Sequence, residues 1–279
     1  PSVFIPFFIL LLSFSGSYGQ TAYEVALNMF DKTRQIKSLS YTMAKKERID
    51  GEIILQVSAV KLARNPLKVY SCQKSPKKGL EVLYCEGDND NKAFVNPGGF
   101  PWFTLKLDPM GSIMRSNQHH TILNSGYDYV VSILEFLIEK YGPESETLIT
   151  YLPAESWQNI PCDVIEFNNP YFDYIEHIVK KDETLISIAR QFKLSEYMIL
   201  QINEGVDDYD DVSPGQVINI PNDYSPRLII YIDKIRSIPL MMKIYDDKGI
   251  YEIYEYYDVI VNPRFDRNEF TLEFKEYDF

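Results

Sequence analysis

Residues 178–221 read IVKKDETLISIARQFKLSEYMILQINEGVDDYDDVSPGQVINIP, a stretch whose hydrophobic period differs from everything around it. Leu185, Ile188, Ala189 and Phe192 fall at i, i+3, i+4 and i+7, the spacing of one buried helical face, and Thr184 stands where an N-cap is needed. Ser195 is placed to cap a second helix with Ile199 and Ile202 turned inward, and Asn203 stands where that helix stops. Short strands are predicted on either side, at 178–180 and 217–220, with Pro214-Gly215 turning the chain into the second. The segment is therefore a βααβ unit.

Outward from this unit the period is two. Leu39, Tyr41 and Met43 alternate with polar residues, Asp50-Gly51 is a tight turn, and 53–62 resumes as a strand. Further strands are expected at 68–73 and 80–85 around the turn SPKKG, and at 92–95 after the run GDNDN. The stretch 96–125, broken by NPGGFP and DPMG, is expected to form loop and short helix. Strand patterning returns at 162–167 and again in RLIIYIDKI, PLMMKIYD, IYEIYEYYDVIV and the late FTLEF (270–274). Two amphipathic helices complete the set, 21–36 before the first strand and 127–141 ended by Gly142-Pro143. Helix, hairpins, helix and more hairpins make an antiparallel α+β pattern rather than βαβ units.

The 28 basic and 40 acidic residues leave a net charge of −12, which opposes unassisted binding to nucleic acid phosphates or to an anionic membrane surface. Residues 1–19 hold an apolar run from Val3 to Phe14 followed by small and polar residues, the pattern of a secretory signal peptide with its start upstream of Pro1. Three cysteines leave at least one thiol free or paired between molecules. With SPKKG as hairpin loop, Cys72 faces Val82 and Cys85 faces Val69, which puts the two on opposite faces of the sheet and disfavours a disulfide.

The βααβ segment resembles a LysM domain along its whole length, through Glu183-Thr184-Leu185, Ile188-Ala189, Phe192, Asn203 and the closing PGQVINIP (214–221). Asp182 stands where that family usually has Gly. The resemblance implies binding of N-acetylglucosamine-containing glycan, peptidoglycan above all, between two turns. One turn is Asp182, Glu183, Thr184 and Leu185 and the other is Asn203, Glu204, Gly205 and Val206, with Leu185 and Val206 offering apolar contact to the sugar. The flanking sequence resembles the DUF1571 family over 75–125, and its strands PLMMKIYDDKGIYEIYEYYDVIVNP and FTLEF resemble the last strands of LolA-like periplasmic proteins. That resemblance implies a curved antiparallel sheet, an incomplete barrel with two helices, whose concavity holds a lipid, lipoprotein or protein partner. The expected organisation is a signal peptide at 1–19, a discontinuous β-domain at 20–175 and 224–279, and an inserted LysM domain at 176–223, in a protein exported to the periplasm or cell envelope of a Gram-negative bacterium.

For catalysis the residues offer little. No nucleophile elbow, phosphate-binding loop, cofactor fingerprint or zinc motif occurs. Adjacent His119 and His120 are expected to point apart on any regular element, poor geometry for one metal. The expectation is a binding protein without cofactor or metal; a wall hydrolase or its regulator, and a purely structural wall anchor, are the other readings.

Overall fold

A computed structural model describes residues 20–279; the expected signal peptide lies outside them. Thr21 caps the first helix, α1 (Ala22–Arg34), in a capping box with Glu24, which satisfies two backbone donors that a helix start otherwise leaves unpaired. Its inner face, Val25, Met29, Phe30 and Thr33, is buried. The chain then forms β1 (Ser38–Ile49), β2 (Glu52–Ala63), β3 (Lys68–Ser75), β4 (Glu81–Cys85), β5 (Ala93–Asn96) and β6 (Leu105–Leu107). The short helix α2 (Ser112–Arg115), the long helix α3 (Asp128–Tyr141) and the single turn α4 (Ser145–Leu148) follow. Next come β7 (Ile149–Trp157), β8 (Ile160–Asn168), β9 (Tyr174–Ile178), α5 (Leu185–Phe192), α6 (Glu196–Leu200) and β10 (Val217–Pro221). Last are β11 (Arg227–Asp233), β12 (Pro239–Asp246) and β13 (Gly249–Val261).

Eleven strands pair antiparallel in the order β6-β5-β4-β3-β2-β1-β13-β12-β11-β8-β7. The sheet is curved and unclosed, with β6 and β7 as free edges, and α1 and α3 share one core with it. A hairpin at 246–249 joins β12 to β13, with Gly249 at φ +112°. Two strands go beyond the predicted set. β6 is only three residues long, and β7 is a mostly exposed edge strand whose ladder shifts register between Leu152 and Glu155, around Pro153; proline in a strand signals an edge or a break.

Two expectations are corrected. Residues 270–274 form successive tight turns, Phe274 N–H to Thr271 O and Tyr277 N–H to Phe274 O, instead of a strand. Their apolar side chains cover the back of β3 and β4, where Tyr277 stacks on Tyr70 at 3.6 Å between ring centres. The β3–β4 register is also one residue away from the predicted one: Cys72 pairs with Glu81 and Cys85 with Lys68. A one-residue slip exchanges faces, so both cysteines lie on the same back face. They remain free thiols, because Cys72 and Cys85 sit at opposite ends of the ladder and not because they face apart.

The smaller unit leaves and rejoins the sheet at one point. Asn168 at the end of β8 pairs with Arg227 at the start of β11, and the residues between them carry the two-stranded sheet of β9 and β10 with α5 and α6. Its first strand spans Tyr174–Ile178, earlier than predicted, with Ile178 opposite Val217. Asp223, wholly buried, fastens the neck by accepting from Tyr141 Oη at 2.5 Å, Lys140 Nζ at 2.6 Å and Asn169 Nδ2 at 3.0 Å.

Gly126 is a further tight point. At φ +87° it donates its N–H to Tyr41 Oη and accepts from Tyr256 Oη, and an added Cβ would meet Leu62 Cδ1 at 3.2 Å. Gly126→Ala is expected to cost about 1–3 kcal/mol through the left-handed backbone, read as a lower urea midpoint with unchanged slope; an unaltered midpoint contradicts this packing.

Candidate functional site

The two turns singled out in the sequence surround a common core of Leu185, Ile188, Ile199, Val206 and Ile220. Thr184 accepts the Ser187 N–H, and Ser187 Oγ accepts the Thr184 N–H at 2.9 Å, closing a capping box at the start of α5. Asp182 is exposed at φ +65°, the left-handed conformation that glycine adopts without strain. Glu183 accepts the Lys180 N–H and a hydrogen from His177 Nε2, both at 2.8 Å. The Lys180 amide and then His177 hold its carboxyl below the usual range. Glu204 and Gly205 are exposed, with Gly205 at φ +82°.

Three residues occupy roles other than sugar contact through the side chain. Leu185 is fully buried and Val206 nearly so; both point into the module's core, which corrects the expectation that they offer apolar surface to a sugar. Asn203 donates to Ile199 O and Asn219 O and accepts the Asn219 N–H, so its amide ties the end of α6 to β10. What the turns present outward is backbone, Asp182, Glu204 and Gly205.

The other side of the module is docked on the large sheet. Tyr197 and Met198 of α6 belong to the main core, and Tyr197 Oη accepts the Asp50 N–H at 2.9 Å. The Ser195 hydroxyl, expected as a cap, instead donates to His119 O. The Arg115 guanidinium lies 3.3 Å from the centre of the Tyr209 ring and 3.5 Å from Glu196.

At this junction the two histidines converge, contrary to the expectation from their adjacency. They lie in an irregular segment after α2, where the alternation of a regular element does not apply. His119 Nδ1 is 2.6 Å and His120 Nε2 3.2 Å from the same oxygen of Glu252, a residue with no exposed surface. His119 Nε2 meets Arg48 O at 3.0 Å. The His119 ring lies between Tyr197 of the small unit and Tyr251 of the sheet, 4.8 and 4.3 Å away. Tyr224 Oη bonds Glu252 at 3.0 Å, and Tyr254 Oη donates to Glu47 at 2.9 Å.

Burial alone raises the Glu252 pKa, but the charge of His120 and hydrogen bonds from both histidines outweigh it, and the carboxyl is held well below its usual range. Burial lowers the His120 pKa, yet Glu252 outweighs that and raises it. Of this cluster His120, Glu47 and Tyr254 reach the lining of a cavity of about 490 Å³ on the inner face of the sheet. Its polar end is Lys45, Glu47 and His120, and its apolar flank includes Val60, Val82, Val95 and Leu107. The shape and mixed lining suit an amphipathic molecule.

The pH dependence follows from these directions. The lowered Glu252 pKa contributes stability above its unfolded value near about 4.3, lost as pH falls through the folded value; the raised His120 pKa contributes below about 6.5, lost as pH rises through its folded value. Both contributions coexist between those limits. The urea midpoint should therefore decline on either side of that window, and Glu252→Gln should lower it and abolish the alkaline decline while His120 titrates at lower pH by NMR. An alkaline limb that survives Glu252→Gln is incompatible with the pairing.

The family model for DUF1571, a protein family of unknown function, matches residues 36–188, and the LysM domain model matches residues 177–221. No curated protein sequence matches the chain. Among solved structures, the fold is similar to the Mycobacterium tuberculosis lipoprotein LppX, with 12% identity, 88% of this chain and 95% of that one covered, and TM-score 0.42. It is also similar to a LolA superfamily protein from Nitrosomonas europaea, with 11% identity, coverage of 90% and 97%, and TM-score 0.33. A third similarity is to the MucA/MucB complex of Pseudomonas aeruginosa, with 10% identity and TM-score 0.41, over 90% of this chain and 60% of that one. Because the first family model spans more than half of its length, the chain belongs to the DUF1571 family, and it carries a LysM domain at 177–221.

Proposed function

We propose that this is a non-catalytic envelope protein in which the LysM domain holds N-acetylglucosamine-containing glycan, peptidoglycan above all, while the sheet's concavity takes an amphipathic ligand such as a lipid or an acylated protein. The observation that carries the reading is the LysM match with residues of both its turns, Asp182, Glu204 and Gly205, exposed, while the opposite side, through Tyr197 and Met198, is buried on the sheet. The module thus keeps a free edge for glycan when docked. Backbone amides and short polar groups there match the hydrogen-bonding needs of an acetamido sugar.

The domain division that goes with this reading is a sheet domain of 20–175 and 224–279 around an inserted LysM domain of 176–223. It is supported by the adjacency of β8 and β11. The non-catalytic part is supported by Glu252, whose oxygens are engaged by two histidines and a tyrosine inside the protein. A group held so tightly serves the fold better than it serves proton transfer to a substrate.

Titration of the labelled protein with N-acetylglucosamine oligomers should move the amide signals of 182–185 and 203–206 and leave those around Glu252 in place. Asp182→Ala with Glu204→Ala should weaken co-sedimentation with purified sacculi. Absence of shifts at both turns defeats the glycan half. For the concavity, native mass spectrometry of protein isolated from an envelope fraction should show a bound lipid that is lost on Ser58→Trp, which fills the cavity; a protein mass without adduct in both defeats the second half.

A further inference from the structure

Large apolar side chains concentrate at one exposed loop. Phe100 and Trp102, between β5 and β6 at the sheet edge, are 84% and 82% exposed, and Phe103 is 65% exposed. Rings so uncovered stand away from the body of the protein, on a loop stiffened by Pro97 and Pro101. The base of the loop is pressed against the β3–β4 turn: a Cβ on Gly98 would lie 2.6 Å from the Gly79 backbone. That turn reaches the cavity, since Pro76 and Lys77 are both lining residues and exposed, as is Ile113, itself 71% exposed. The exposed aromatic loop thus adjoins the cavity opening.

Lysines outnumber carboxylates at this corner, where the nearby acidic residues are Glu81, which is buried, and Asp278, which meet at Asn96. Residues 74–80 and 97–107 contain Lys74, Lys77, Lys78 and Lys106 and no carboxylate, in a chain of net charge −12. All four lysines are exposed. We propose that the loop Phe100–Phe103 inserts into a phospholipid surface bearing anionic headgroups, with Lys77 and Lys78 of the adjoining turn at headgroup level and the cavity opening held against the membrane. Trp and Phe partition to the boundary between headgroups and acyl chains, and adjacent cationic side chains add attraction to anionic lipid. Screening within about 8 Å at physiological salt confines the effect of the remote acidic residues. A protein partner is disfavoured by shape, because stable protein interfaces need roughly 800 Å² of complementary surface per side, whereas three protruding rings match a fluid medium. This inference stands apart from glycan binding and does not require the cavity to be filled.

Flotation of the full protein with vesicles of phosphatidylethanolamine and phosphatidylglycerol tests it. The wild type should float with the vesicles and Phe100→Ser/Trp102→Ser/Phe103→Ser should float about tenfold less or weaker, from the lost transfer of the rings. Lys77→Gln/Lys78→Gln should reduce binding to these vesicles and leave binding to purely zwitterionic ones unchanged. With Trp157→Phe leaving Trp102 as the sole tryptophan, emission should shift to the blue on vesicle addition and be quenched by brominated lipid. The substituted rings touch no core, so the triple variant should keep the wild-type urea midpoint and sacculus binding. Equal flotation of wild type and triple variant, Trp102 emission indifferent to vesicles, or a loop that only captures another protein, overturns the proposal.

Discussion

A carboxylate with no surface in water, Glu252, stands where three parts of the chain meet. It rises from β13, beside the sheet's middle strand β1, receives both histidines from the segment after α2, and lies beneath the aromatic stack that reaches Tyr197 of the LysM domain. An isolated charge in such a place costs far more than a small domain can offset. Here the cost is offset by His119, His120 and Tyr224; His119 also meets Arg48 O and Ser195, and His120 meets Tyr224. Removing one partner of such a group strands the other, so the sheet, the irregular 108–126 segment and the inserted module are fastened together through it.

That fastening explains why the LysM domain is more than a bead on the chain. Its neck is fixed by Asp223, and its second helix contributes Tyr197 and Met198 to the main core. Two attachments at separate places restrain hinge motion as well as translation. Glycan held at the free turns would accordingly set the position and orientation of the concavity and of the aromatic loop relative to the wall.

Residue types were reused economically for structure inside the module. Thr184, Asn203 and Leu185 occupy the two turns that define the domain, yet cap, bridge and core duties account for their side chains. Asp182 retains a left-handed backbone, so the turn shape survives the replacement of glycine at the expense of local strain.

Local patterning was enough to show the two long helices, most of the strands, the βααβ unit and the antiparallel class, because helix period, capping residues and turn glycines act over a few residues. It did not show β6 or the edge strand β7. It reached the long hairpin of β1 and β2 and the N-cap at Thr184 unaided. It did not reach the β3–β4 register, where the long SPKKG turn admits alternatives one residue apart, nor the late 270–274 segment, whose alternating apolar residues fit a strand until the back face of β3 and β4 claims them. Convergence of His119, His120 and Glu252 lay further out of reach. A glutamate in an alternating Tyr-Glu strand reads equally well on either face, and whether it is buried depends on strands and loops more than a hundred residues away. Pattern along the chain determined which elements exist; burial across the fold alone decided which polar groups had to find one another.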